Sequence, residues 1–161
     1  MTHPTYTVPH RRKREGRTDY KKRLALLKSR QTRLIIRRTN QQLIIQAADY
    51  NPKGDQIHVT VTGNNLKEHG WEHSTKNIPA AYLTGYLAAK RCLDADIDSG
   101  ILDIGLHTPH TGGRIYAALK GLIDGGLDVP ADSTVFPSED RLNGEHIDTD
   151  LDIETTKENI A

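Results

Sequence analysis

The fold turns on residues 33–62, RLIIRRTNQQLIIQAADYNPKGDQIHVTVT. Three short runs rich in β-branched or apolar residues stand in it: RLIIRR at 33–38, QLIIQA at 42–47 and QIHVTVT at 56–62. Thr39-Asn40 separates the first two, and Asn51-Pro52-Lys53-Gly54-Asp55 separates the second and third. Such spacing favours antiparallel strands joined by short turns. In the third run Ile57, Val59 and Val61 alternate with His58, Thr60 and Thr62, the period of a strand with one buried face.

Beyond this hairpin region the period changes. Residues 63–76 read as an irregular connection with one helical turn over Leu66–His69. Asn77-Ile78-Pro79 then opens a helix, with Asn77 as cap and Pro79 in the first turn, where its missing N–H costs little. Ala80, Leu83 and Leu87 line one face, joined by Ala88 and Cys92. The small residues Ala81, Gly85, Ala88 and Ala89 are expected to let the helix approach a sheet closely. ILDIGL at 101–106 reads as a strand, and LHTPHTGGR at 106–114 turns into a second helix. On that helix Ile115, Leu119 and Leu122 recur at three to four, and Gly125-Gly126 stops it. PSEDRLNG at 137–144 reads as a helical turn, and an acidic terminus from about Asp148 is expected to pack weakly.

Toward the N-terminus, residues 1–10 read as an extended arm. Gly16 weakens any continuous helix in the charged run that follows. Thr18 or Asp19 can cap a short helix carrying Tyr20, Leu24 and Leu27 at helical spacing, ending near Ser29. The fold class is therefore α/β. A small mixed sheet, three antiparallel strands plus one parallel strand, packs against helices. The parallel strand is reached through a crossover helix over residues 79–95. The chain divides into a basic extension with a short helix (1–30), an α/β core (31–130) and an acidic C-terminal extension (131–161).

Charge supplies the functional signal. The 161 residues carry a net charge of only +1. Yet residues 1–40 hold thirteen Lys/Arg against two acids, a balance of +11, and the remaining 121 hold nine against nineteen, a balance of −10. In residues 121–161 Arg141 and Lys157 face eleven acids. Such polarity points to one end placed against a polyanion. Arg11, Arg12, Lys13, Arg14, Arg17, Lys21 and Arg23 are the candidates on the arm and first helix, since a guanidinium takes phosphate oxygens bidentately. Arg33, Arg37 and Arg38 continue the charge into the first strand, where Arg33 and Arg37 share a face and form a cationic rim. Asn40, Gln41, Gln42 and Gln46 add neutral donors and acceptors suited to ribose hydroxyls and base edges.

Other chemistry is poorly provided for. The first strand has no carboxylate, so the converging acids of a metal-dependent nuclease are missing. His69 and His73 are separated by Gly70, and His107 and His110 lie in a Pro/Gly loop, so no metal site is expected. One cysteine, Cys92, allows no internal disulfide and reads as a small core hydrophobe. Gly112-Gly113-Arg114 precedes a helix and could offer N–H groups to one RNA phosphate, but lacks a nucleotide-loop ending. No cofactor is expected. No run approaches the roughly eighteen apolar residues of a membrane helix, and the first residues carry no apolar leader, so the expected place is the cytoplasm. Aromatic residues make up 5% of the chain, which disfavours stacking-based single-strand readout. With no helix-turn-helix or zinc finger, the expected target is a folded RNA and not DNA.

Four blocks then carry a family resemblance: RRKREGRTDYKKRLALLKS, RLIIRRTNQQLIIQ, NIPAAYLTGYLAAKR and ILDIGLHTPHTGGRIYAALKGLIDGGLDVP. From about Val8 to Ile147 the chain resembles the archaeal form of the eighteenth large-subunit ribosomal protein, the fifth in eukaryotes. The resemblance implies a structural role without catalysis. It implies 5S rRNA and the 23S rRNA of the large subunit as ligands, in the central protuberance. The fifth large-subunit ribosomal protein and other proteins of that region are implied as neighbours. It implies RNA contact by Arg11, Arg12, Lys13, Arg14, Arg17 and Tyr20, by Arg33, Arg37, Arg38, Thr39 and Asn40, and by Gly113 and Arg114. Thr32 stands where the family often has proline, and Gly125 where it often has alanine.

Overall fold

The computed structural model describes residues 7–147 and 151–161. The first six residues of the expected arm, and the start of the acidic terminus at 148–150, lie outside the described residues. Strands β1 (Arg33–Arg38), β2 (Leu43–Asp49) and β3 (Gln56–Thr62) form an antiparallel meander, and β4 (Ile101–Asp103) pairs parallel to β1. The sheet order is β3-β2-β1-β4, one parallel pair in an otherwise antiparallel sheet. The crossover from β3 to β4 contains a 3₁₀ segment, Gly63–His69, and helix α3, Ile78–Leu93. The 3₁₀ segment runs longer than the single turn expected, because Thr62 and Asn65 form a reciprocal capping box at its start.

One face of the sheet supplies the core. Leu34, Ile36, Leu43, Ile45, Ala47 and Val61 are buried together with Leu83 and Leu87 of α3 and with Ile115, Leu119 and Leu122 of α4, Arg114–Asp124. Asn77 caps α3 by accepting the N–H of Ala80 at 2.9 Å, with Pro79 in the first turn. Helix α3 is buried on nearly every side rather than along one stripe. Gly85 serves a close crossing with α4 rather than with the sheet. A Cβ on Gly85 would run into the Ala118 carbonyl, and one on Gly121 into the Tyr82 carbonyl. Cys92 is buried, and burial pushes its thiol up to about 11.

Other expectations also change in the structure. In β3 only Val61 is fully buried, and Ile57 is 51% exposed. This is an edge strand, and a bulge shifts its register between Ala47 and Ala48. The fourth strand ends at Asp103, because Gly105 takes a positive φ and turns the chain away. The C-terminal end packs firmly: Ile153, Thr156 and Ile160 of helix α6 (Ile153–Ile160) are buried against the core. Lys157 lies 5.5 Å and 5.1 Å from the Tyr82 and Tyr86 ring centres and donates to the Tyr82 hydroxyl at 3.1 Å. The expected weak packing counted apolar residues and missed their spacing on one helical face. Between them, α5 spans Glu139–Leu142, where a helical turn was expected.

Candidate nucleic-acid interface

On the sheet face opposite the core, alternation along β1 presents Arg33, Ile35 and Arg37. The parallel register sets Asp103 of β4 beside Ile35, and the β2–β3 turn supplies Asp55. Helix α2 (Tyr20–Leu27) lies over this end, capped by Asp19, which accepts the N–H groups of Lys21 and Lys22 at 3.0 and 3.1 Å. Arg23 of α2 donates through Nη2 to both Asp55 oxygens, at 2.7 and 2.9 Å. Arg33 donates to Asp55 at 2.6 Å and to Asp103 at 2.9 Å. Arg37 donates to the Asp103 carboxylate at 3.0 Å and to its main-chain carbonyl at 2.6 Å. Gly105 adds a backbone N–H to Asp103 at 2.8 Å. Three arginines thus share two aspartates, leaving one net positive charge. Burial works to raise the pKa of both acids, but the hydrogen bonds and charges of their arginines outweigh it and hold both below the usual carboxylate range.

This network corrects the expected cationic rim. Arg33 and Arg37 do share a face, but Arg33 is 1% exposed and its charge is spent on two carboxylates. It cannot touch a phosphate in this arrangement. Its Nε has no hydrogen-bond partner at all. Arg37 keeps 37% of its side chain exposed and lines a groove. Helix α2 also departs from its expected apolar face. Leu24 is 58% exposed, while Tyr20, Arg23, Leu26 and Leu27 are the half-buried positions.

The groove, of about 750 Å³, runs between the arm and α2 on one side and the β2–β3 turn and the 103–107 turn on the other. Arg12, Arg17, Lys22, Arg23, Arg37 and Lys53 line it, with Tyr20, Tyr50 and Leu106 as apolar walls. The arm enters as helical turn α1, Arg11–Arg14, whose Arg11, Arg12, Lys13 and Arg14 are all exposed, as is Arg17. Arg12 Nε donates to Thr18 at 2.9 Å, and the His10 and Tyr20 rings meet at 5.1 Å, so the arm folds back on α2. Lys22 reaches across to the Gly105 carbonyl at 3.1 Å, while Lys21 faces solvent.

A second cationic spot lies where β1 ends and α4 begins. Arg38, Thr39 and Asn40 are exposed on the β1–β2 turn. The Arg38 N–H donates to His107 Nε2 at 3.1 Å, so that ring carries its proton on Nδ1. Burial and the charges of Arg38 and Arg37 lower the His107 pKa. Half-buried Arg114 donates to the Lys76 carbonyl at 2.8 Å, and burial with the nearby Arg38 charge lowers its pKa. Gln46 stands apart on the open sheet face, its amide donating to Thr60 at 3.2 Å.

Sequence reasoning missed Asp55 and Asp103 as parts of this region. Asp55 read as a turn residue in NPKGD, and Asp103 as part of the strand run ILDIGL. Nothing in a one-dimensional pattern places them between three arginines. Lys22 and Lys53 were within reach of a charge count, but only the groove shows that they face the same space as Arg12 and Arg17.

A compact α/β body carrying a basic arm, a cationic groove and a second cationic spot defines a class of proteins that set one cationic side against a polyanion. Among the described residues no three His, Cys, Asp or Glu side chains stand close enough to share a metal ion. The family described as ribosomal large subunit proteins 60S L5 and 50S L18 matches residues 4–99 and 97–132, and the chain belongs to it. It is 51% identical over 142 residues to the large ribosomal subunit protein uL18 of Korarchaeum cryptofilum, covering 88% of this chain and 73% of that one. The uL18 of Picrophilus torridus is 49% identical over 151 residues, covering 94% and 95%. That of Haloferax volcanii is 47% identical over 146 residues, covering 91% and 79%. The chain is accordingly a structural constituent of the large ribosomal subunit, and its family is not one of enzymes.

Proposed function

We propose that the protein binds 5S rRNA and attaches it to 23S rRNA in the central protuberance, beside the fifth large-subunit ribosomal protein and its neighbours. The observation that carries this reading is the cationic groove, whose lysines and arginines come from the arm, α2, β1 and the β2–β3 turn at once. A surface assembled from four segments recognises shape, as a folded RNA demands, whereas a loose basic tail would only neutralise charge. Residues 1–30 act as the RNA-binding extension on the 31–130 body, with 131–161 directed away from the RNA.

Arg11, Arg12, Lys13, Arg14, Arg17 and Lys21 are the phosphate contacts of the extension, with Tyr20 packing beside them. Arg38, Thr39, Asn40 and Arg114 form a second contact, and Gln46 a neutral one on the open sheet face. Arg23 and Arg37 are tied to aspartates and keep partial access to the groove. Arg33 contributes by holding the groove together and not by touching RNA.

A filter-binding titration against 5S rRNA and a size-matched structured RNA, repeated at several salt concentrations, tests the proposal. Tighter binding to 5S rRNA at every salt is expected, with a shared steep salt dependence. Equal affinity for the two RNAs would leave charge without specificity and end the 5S assignment.

A further inference from the structure

Helix α2 has no buried residue. Its eight residues are too few to be stable as an isolated helix. Beyond partial burial of Tyr20, Leu26 and Leu27, side-chain bonds tie it to the body: Arg23 to Asp55 and Lys22 to the Gly105 carbonyl. Both receiving groups sit on the body's side of the groove. Asp55 in turn is fixed by the buried guanidinium of Arg33, and Gly105 by its N–H to Asp103. The body therefore presents an anchored acid at the position where a helix bearing Lys21, Lys22 and Arg23 must be held. Arg23 is gripped through Nη2 alone, and its side chain also lines the groove.

An acid inside a surface meant for phosphates is a paradox if charge alone matters, because removing it makes the surface more positive. We propose that Asp55 is a positioning residue for RNA binding. By holding Arg23 it docks α2, and with α2 the arm, so that the cations on both sides of the groove stand at a fixed separation. The inference rests on the RNA-binding reading and makes a prediction of opposite sign to simple electrostatics. Loss of the Asp55 charge weakens RNA binding although the protein gains positive charge.

The test uses the full chain with Asp55→Asn, Asp55→Glu and Arg23→Gln, titrated with 5S rRNA at several salt concentrations. Amide hydrogen exchange is followed in the free proteins. For Asp55→Asn the expected result is a loss of about tenfold in affinity, the scale of one charge-assisted contact. Amides of residues 20–27 lose protection while those of Leu34–Ile36 and Leu43–Ala47 keep theirs. Asp55→Glu, which retains the carboxylate, recovers most of the affinity. Binding by Asp55→Asn as tight as the unaltered protein, or tighter, with the strands still protected, overturns the inference. Should Asp55→Asn also expose the strands by orphaning Arg33, Arg23→Gln decides, since it leaves the Arg33–Asp55 pair intact. Loss of α2 protection with weakened binding supports the inference, and unchanged protection overturns it. An unaltered protein that fails to bind the RNA brings down the RNA reading itself, a failure visible before any variant is compared.

Discussion

A buried guanidinium survives only as part of a set, because its desolvation is repaid by close carboxylates and by little else. Arg33 has two of them, and the set is asymmetric: Asp103 is shared with Arg37, and Asp55 with Arg23. Removing the Asp103 carboxylate leaves buried Arg33 with Asp55 alone and Arg37 with carbonyl partners only, so Asp103→Asn is expected to destabilise the fold by about 3 kcal/mol. Replacing Arg33 by Met leaves each acid a remaining arginine and is expected to cost clearly less in a urea titration of the two variants. Since Arg33 does not reach solvent, Arg33→Met is also expected to leave the salt slope of RNA binding unchanged. The pH dependence follows from the same set. Asp55 and Asp103 titrate below their ordinary value of 3.8 in the folded chain, so their contribution is fully present above it. It is lost as pH falls through the lowered folded values, so unfolding midpoints are expected to hold from about pH 7 to 5 and drop below about pH 4. Asp103→Asn flattens that drop; an equally steep acid limb in the variant would show that other carboxylates cause it. That Arg33 lies on the first strand was legible in RLIIRR. Its burial was not, since alternation assigns a face but says nothing about what covers that face.

At the level of elements, the close crossing of α3 and α4 is the joint on which the two-layer body depends. Gly85 and Gly121 let the two backbones meet, each helix placing a carbonyl where the other would need a Cβ. Alanine is the better helix former by about 1 kcal/mol, so propensity alone predicts that Gly85→Ala stabilises. The obstructing atom is backbone and cannot rotate away, and overpacking of this kind costs about 1–3 kcal/mol or more. The steric term is expected to win, giving a lower urea midpoint with an unchanged slope against denaturant. A raised midpoint would show that the helices slide apart at no cost. The sequence displayed the small residues at 81, 85, 88 and 89, and their helical spacing was legible. The partner was not, because small residues announce a close approach without saying to what. Helix α6 shows the converse failure. Its composition reads as acidic and polar, yet Ile153 and Ile160 stand two turns apart on one face and find α3.

For the whole molecule, the division of charge was the feature most open to sequence reasoning, because it needs only a count along the chain. What folding adds is the separation in space between charges that are free and charges already spent. Arg23, Arg33 and Arg37 are tied to Asp55 and Asp103, and Arg11 and Arg17 flank Glu15 at 3.7 and 3.4 Å in exposed pairs that are worth little. The arm therefore holds five exposed cations that a polyanion can take without breaking a buried bond. Each phosphate contact releases condensed counterions and adds about 0.7 to 0.9 to the log–log dependence of affinity on salt. Deleting residues 1–17 removes Arg11, Arg12, Lys13, Arg14 and Arg17, all exposed and none packed into the core. The truncated protein is expected to keep its thermal midpoint while its RNA affinity falls and its salt dependence becomes shallower by up to that amount for each lost contact. The paired measurement matters, because a loss of affinity alone could come from a damaged fold. If the slope stays as steep as that of the full chain, the arm makes no phosphate contacts, and the groove on the body must carry the electrostatic binding alone.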